Sequence, residues 1–165
     1  MTTTKDEFLK LLSGDEEIII NACDGRETIA SATDVFPSGT SFDFRDLLSK
    51  TNSCASTNIA PVQVYEMTQE ATLLQLFNSL STSTDLNDLC LTQHQIKLFC
   101  KDCSNWLLKG GCGTFFLFKI DGVILVALVF MFSDGLFIAV YDIECKFVWD
   151  IKNSHRRVVV PKLPS

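Results

Sequence analysis

The hydrophobic pattern is most distinctive over residues 114–143, where two short breaks separate three apolar runs. The first break, Asp121-Gly122, predicts a two-residue type I′ hairpin, because this turn needs positive φ at both central positions. The second, Ser133-Asp134-Gly135, predicts a three-residue hairpin with Gly135 in the left-handed region. The stretch therefore predicts a β-meander.

The middle run, Val123 to Phe132, contains no polar residue. Because side chains alternate across a strand, a continuous apolar run indicates that both faces are covered. A membrane-spanning helix needs about 20 apolar residues, and this run is confined between Asp121 and Asp134. A buried strand is predicted, and membrane insertion is not.

Two amphipathic helices precede the meander. Thr68 is a candidate cap for a helix over residues 69–80, and Thr92 with Gln95 forms a capping box for a helix over residues 93–109. We expect both helices to cover the same face of the sheet. The second face requires the N-terminal segment, sheet curvature or another subunit.

The first 61 residues have a weaker pattern. Residues 4–12 begin with a capping box and predict a short helix, Ile18–Ile20 predict a strand, and residues 42–50 predict another short helix. Residues 51–60 have no periodicity and predict a loop. Residues 1–61 are therefore interpreted as a loosely structured or accessory segment.

Residues 62–165 are predicted to form a compact domain, with further strands at 62–67 and 156–160. The predicted fold class is α+β, an antiparallel β-meander of four to five strands packed with two or more helices. A hydrophobic content of 47% excludes a fully disordered chain.

The charge distribution indicates which kinds of partner the chain could bind, and its cysteines indicate its cellular compartment. Residues 1–90 carry 5 Lys and Arg against 14 Asp and Glu, a net charge of −9, whereas residues 91–165 carry 9 against 6, a net of +3. The acidic first half disfavours nucleic acid as a partner, and the two halves are expected to attract each other. Seven cysteines and no visible secretory signal predict a cytoplasmic protein with free thiols.

The chain contains five segments in the following order: LCLTQHQIKLF at 89–99, Trp106-Leu107, GTFFLFK at 113–119, VW at 148–149 and RRVVVPKL at 156–163. In these segments, and above all in their order, the chain resembles a group of short, uncharacterised bacterial proteins. The resemblance covers about 60% of the chain. It implies a compact bacterial cytosolic domain, and it implies no activity, ligand or catalytic residue.

Four cysteines suggest a zinc-stabilised module: Cys90, Cys100, Cys103 and Cys112. Structural zinc sites usually bring four ligands as two short pairs, and here one pair has two single neighbours. Because Cys100 and Cys103 also fall on the apolar stripe of their helix, core packing is the simpler interpretation. A redox pair is disfavoured, since such motifs open a helix.

Two enzyme hypotheses remain open. Asp121, Glu144 and Lys146 are spaced like the Mg²⁺ site of a nuclease, although a solvated strand end explains the same charges. Cys112 is a candidate nucleophile with His94 or His155 as its base, although the glycines around it also suit a tight turn.

No cofactor is predicted. The leading hypothesis is a non-enzymatic protein that acts through protein–protein contact or as a homo-oligomer, because apolar sheet surface is in surplus and no catalytic group is assembled. The candidate interaction residues are Trp149 and the basic cluster of His155, Arg156 and Arg157.

Overall fold

The computed structural model describes residues 8–29, 32, 34–36, 56–80, 85–108, 113–133, 135–151 and 156–162. They form an α+β fold built on a seven-stranded mixed sheet. Its strands are β1 (Leu9–Leu11), β2 (Ile18–Ile20), β3 (Ala60–Met67), β4 (Thr114–Ile120), β5 (Val123–Phe132), β6 (Gly135–Asp142) and β7 (Arg157–Pro161). The helices are α1 (Leu73–Asn78) and α2 (Gln93–Asp102), with 3-10 turns at Leu86–Leu89 and Ser104–Trp106. Within these ranges, each helix falls short of the length and apolar character that a bilayer crossing demands.

The sheet has the strand order β1-β3-β7-β4-β5-β6, and β2 pairs with β3 beside β1. All pairings are antiparallel except β4 with β7, which is parallel. The predicted α+β class and the meander β4-β5-β6 are confirmed. The sheet is larger than the meander because β7, the last strand in sequence, inserts between β3 and β4.

The first hairpin of the meander is as predicted. Ile120 pairs with Val123, and the intervening Asp121 and Gly122 have φ of 49° and 82°, the two positive values that a type I′ turn requires. The second hairpin is tighter than predicted. Phe132 pairs directly with Gly135, so Gly135, at φ 133°, begins β6 and does not lie within the loop.

Both faces of β5 are covered from Leu125 to Val129, as its apolar pattern predicts, whereas Val123 and Phe132 at its two ends are 44% and 48% exposed. One face, called the α2 face, packs Leu125, Ala127 and Val129 against side chains of α2. The opposite α1 face packs Val126 and Leu128 against side chains of α1.

The expectation that both helices cover one face is wrong. Ile96 and Phe99 of α2 belong to the α2-face core, whereas Leu73 and Phe77 of α1 belong to the other. The chain changes face between them, where the Leu91 N–H donates to the Leu117 carbonyl oxygen at 2.8 Å. β7 pairs with β4 only from Thr114 to Phe116. The carbonyl oxygen of the next residue of β4, Leu117, is therefore available to accept the hydrogen bond from Leu91.

The helix boundaries show which caps operate. The capping box of Thr92 and Gln95 is present at the start of α2, as predicted. Helix α1 starts later than predicted, because Thr72 and not Thr68 forms its capping box. Ala71 exchanges backbone hydrogen bonds with Trp149, at 3.2 and 2.9 Å, so the chain before Thr72 is held extended.

Near the N-terminus, Ile18–Ile20 form a strand as predicted, but residues 9–11 form strand β1 and not part of a helix. Leu9 and Leu11 pair with Met67 and Tyr65 of β3, and this tertiary pairing overrides the local helix signal. The predicted cap at residues 4–7 and the predicted helix at 42–50 lie outside the described residues. The division at residue 61 stays a prediction, although Ile18, Ile20, Ile29 and Phe36 are buried in the α2-face core.

Candidate interaction surface

A cluster of aromatic rings lies on the α1 face where the chain leaves β6. The indole of Trp149 is surrounded edge-on by the rings of Phe115 and Tyr141, each 5.3 Å away between centroids, and of Phe147, 4.8 Å away. Edge-to-face pairs at this spacing are favourable. Trp149 is buried, and its Nε1 has no hydrogen-bond partner among the described residues. Ring packing and the backbone pairing to Ala71 therefore fix this segment.

Two exposed apolar side chains belong to the segment that Trp149 anchors. Phe147 is 59% and Val148 is 51% exposed. We call these two residues the Phe147 surface. Leu74 of α1 and Val123 at the start of β5 are also exposed.

A shallow groove of about 390 Å³ joins Leu74 to this loop. It is lined by Thr72 and Leu74 of the α1 region and by Glu144, Cys145 and Lys146. The Glu144 N–H donates to Asp142 Oδ1 at 2.8 Å, which holds the loop in a turn where β6 ends. The groove thus presents one apolar wall and one charged wall.

The predicted interaction residues differ in their burial and in their contacts. Trp149 is 7% exposed, so it supports the surface from below. The Arg156 guanidinium lies over the Trp149 ring, 5.0 Å from its centroid, a cation–π distance. Arg157 starts the central strand β7, and its Nη1 donates to the Trp106 carbonyl oxygen at 2.8 Å. His155 lies outside the described residues.

A second cluster joins α2 to the segment after β2. The Gly25 N–H donates to His94 Nδ1 at 3.1 Å, and the Ile29 N–H donates to Gln93 Oε1 at 2.9 Å. Lys97 Nζ lies 2.6 Å from Glu27 Oε1 and 3.3 Å from Asp34 Oδ1. These contacts seat the segment against α2 and bury Ile29 and Phe36 behind it.

The electrostatics of this cluster favour its charged form. Burial opposes the charge on Lys97, but hydrogen bonds to Glu27 and Asp34 outweigh that effect and raise the Lys97 pKa. At Asp34, partial desolvation raises the carboxyl pKa, but the hydrogen bond from Lys97 outweighs this effect, and the pKa is lowered. The buried ammonium is therefore paired, as a buried charge needs to be.

The nuclease candidates lie at one end of the meander. Asp121 is in the β4–β5 turn, and Glu144 follows β6 beside the start of β5. Asp121, Glu144 and Lys146 are all exposed. Across the described ranges no three His, Cys, Asp or Glu residues are grouped so as to hold a metal ion. The nuclease hypothesis stays a prediction.

Of the candidate zinc ligands that the structure describes, Cys90 and Cys100 do not share one site. Cys90 packs against the α1-face core, whereas Cys100 is buried in the α2-face core, so the sheet separates them. Cys103 lies at the end of α2, with its Sγ 3.9 Å from the Ile19 carbonyl oxygen. Burial raises the pKa of Cys90 to about 11 and that of Cys100 further. Cys112, the candidate nucleophile, lies outside the described residues, and His94 is occupied by the segment after β2.

Sequence reasoning missed both the Phe147 surface and the ion pairs of Lys97. Consecutive apolar residues at Phe147-Val148-Trp149 were a signal for the surface, because an alternating strand cannot bury all three on one side. The pairing of Lys97 with Glu27 spans 70 positions, and no local pattern indicates it.

No protein-family model, no curated protein and no solved structure matches the chain. The resemblance to short bacterial proteins therefore stays a prediction.

Proposed function

We propose that this protein acts by binding another protein chain through the Phe147 surface, without catalysing a reaction. The observation that supports the proposal is the exposure of two consecutive large apolar residues, Phe147 and Val148. Contiguous exposed apolar patches favour a role in association, and aromatic residues are enriched at the centres of interfaces.

The support beneath Phe147 strengthens this proposal. Single exposed apolar residues are common and need no explanation. Here Phe147 rests edge-on against a buried tryptophan whose backbone is bonded to Ala71. A ring held in place before binding loses less conformational entropy when a partner covers it. Phe147 therefore suits the role of a binding anchor.

The charges of the same loop favour a protein over a nucleic acid as the partner. Among the described residues 142–151, Asp142, Glu144 and Asp150 are exposed, against one exposed cation, Lys146, and Arg156 adds a second cation over the Trp149 ring. Nucleic-acid surfaces need clustered cations to neutralise phosphates, and three acidic groups against two cations favour a protein partner. The partner is either a second copy of this chain or a different protein.

The proposal is tested by site-specific photo-crosslinking in cells that express the full chain. A photoreactive residue replaces Val148 in one variant and Ile59 in a matched control. Ile59 is 61% exposed and comes just before the first residue of β3. Ala71, which pairs with Trp149, comes after the last residue of β3. The control position and the Phe147 surface are therefore associated with opposite ends of this strand. We expect a discrete protein adduct from position 148 that is absent from position 59 and is lost with Phe147→Ser.

Light scattering on the purified chain then identifies the partner. Self-association that Phe147→Ser abolishes indicates a second copy, and a monomer together with a heavier adduct indicates another protein. Equal labelling at both positions, or an adduct that survives Phe147→Ser, contradicts the proposal.

A further inference from the structure

We propose that the Phe147 surface binds a segment of its partner that carries an apolar and a basic side chain. The apolar side chain packs on Phe147 and Val148, and the basic one, Lys or Arg, pairs with the carboxylates of Glu70 and Asp150. The inference rests on the proposed function and adds the chemistry of the partner.

The backbone bridge between Ala71 and Trp149 brings Glu70 opposite Asp150. Each residue of the bridge donates its N–H to the carbonyl oxygen of the other, at 3.2 and 2.9 Å, and the two chains run antiparallel. In an antiparallel pair, the residue before one member of the bridge faces the residue after the other member. Glu70 and Asp150 therefore occupy facing positions.

The same register explains which side chains point outward. Side chains alternate along an extended chain, and those of Ala71 and Trp149 are buried. Their neighbours Glu70, Val148 and Asp150 point to the opposite side and are exposed. The two carboxylates and the apolar side chain of Val148 thus share one outer face.

The shallow groove continues this outer face. Thr72 faces Val148 in the register of the bridge, and Thr72 also lines the groove of about 390 Å³ together with the exposed Leu74. An apolar side chain that packs on Val148 is therefore next to the apolar wall of the groove. The surface and the groove form one docking site for an apolar side chain.

The charges of the outer face favour a cation on the partner. Like charges on facing positions of two paired chains are unfavourable. Neither Glu70 nor Asp150 belongs to an ion pair with another described residue. A guanidinium or ammonium group between the two carboxylates relieves their repulsion, whereas an acidic or wholly apolar segment does not.

Two cations of the chain lie in this region, and they do not balance its carboxylates. Lys146 lines the groove, and the Arg156 guanidinium lies over the ring of Trp149, on the inner side of the bridge. The exposed carboxylates are those of Glu70, Asp142, Glu144 and Asp150. The face therefore keeps a net negative charge, which complements a basic partner.

Charge reversal tests the inference in the cells used for photo-crosslinking at position 148. Glu70→Lys combined with Asp150→Lys reverses the face and keeps two like charges on facing positions. The matched control combines Glu16→Lys with Glu17→Lys, because these exposed carboxylates line a different cavity, at the other end of β3. Both double variants change the net charge equally. We expect the Phe147-dependent adduct to fall about tenfold in the first and to stay within about twofold of wild type in the control.

Mass spectrometry of the adduct then locates the contact on the partner. A Lys or Arg should lie within a few residues of the cross-linked position, and its replacement by Glu should restore the adduct with the charge-reversed variant. Glu70→Gln combined with Asp150→Asn removes the charges without reversing them. It should lower the adduct about threefold, and it provides the readout if the charge-reversed variant does not fold.

The outcomes separate this inference from the proposed function. An adduct that depends on Phe147 but is unchanged by charge reversal, or that falls equally in the control, overturns the basic partner and leaves the proposed function standing. A contact peptide without Lys or Arg does the same. Absence of any adduct that depends on Phe147 overturns both.

Discussion

The rings of Trp149 and Phe147 pack edge-to-face with their centroids 4.8 Å apart, although Trp149 is 7% exposed and Phe147 is 59% exposed. The pair places a buried anchor directly beneath an exposed ring. Its two members therefore contribute differently to stability and to binding, and substitutions separate the two contributions.

Trp149→Ala is expected to lower the free energy of unfolding by about 3–5 kcal/mol, because it removes a buried aromatic side chain and leaves a cavity. Phe147→Ala should lower it by less than about 1 kcal/mol, as for most exposed positions. Urea denaturation followed by circular dichroism measures both values. Trp149→Phe, which keeps an aromatic ring, should lie between them. Equal losses for the two alanine variants would show that Trp149 is not the anchor.

Gly113→Ala is expected to destabilise the fold by about 2–5 kcal/mol. Gly113 has φ +91°, which L-residues rarely adopt, and an added Cβ would lie 2.3 Å from Cδ1 of the buried Leu128. Gly122→Ala is the matched control, because it has φ +82° and open space around its Cβ position. It should cost about 1–2 kcal/mol, the conformational part alone. Thermal unfolding of both variants gives the difference, and similar losses would contradict the close contact with Leu128.

Lys97→Met is expected to destabilise the protein at pH 8, though by less than Trp149→Ala, because the exposed carboxylates of Glu27 and Asp34 can be hydrated. The pKa of Lys97 is raised above 10.5 in the folded chain. Its contribution to stability is therefore complete below the unfolded-state pKa and is lost as the pH rises through the folded-state value.

Chemical denaturation of wild type and Lys97→Met from pH 8 upward tests this sign. The gap between them should be constant to about pH 10 and then close. Lys10→Met, at an exposed lysine of β1, should show no such gap. A gap that widens with rising pH would refute the ion pairs.

Cys100 and Cys90 should resist alkylation at pH 8 in the native protein. Cys100 is buried, and with a pKa of about 11 the Cys90 thiol is about one part in a thousand thiolate at that pH. Mass spectrometry after iodoacetamide treatment, with a urea-denatured control, measures the labelling of each cysteine. Rapid native labelling of Cys100 would show that the α2-face core opens. Stoichiometric zinc that is lost with Cys90→Ser would contradict the separation of the two thiols by the sheet.

Sequence patterns correctly predicted those structural elements that depend on residues close together in the chain. Asp121-Gly122 specified its turn because both residues take positive φ, and Thr92 with Gln95 specified the start of α2 because a capping box needs four residues. Thr68 was the wrong cap, since the tertiary pairing of Ala71 with Trp149 displaced the start of α1. Residues 9–11 joined the sheet for the same reason. In both places a long-range hydrogen-bonded partner outweighed a weak local preference.

The sequence by itself determined that Val123 to Phe132 is a strand whose central residues are covered on both sides, because side chains of an apolar run alternate between the two faces. The tertiary structure decided what covers each side. It placed the helices on opposite faces through the crossing at Leu91 and inserted β7 beside β4. It also brought Glu27 to Lys97 and left Phe147 exposed above Trp149. These relationships depend on residues far apart in the chain, and an apolar or charged residue does not encode which distant partner it meets.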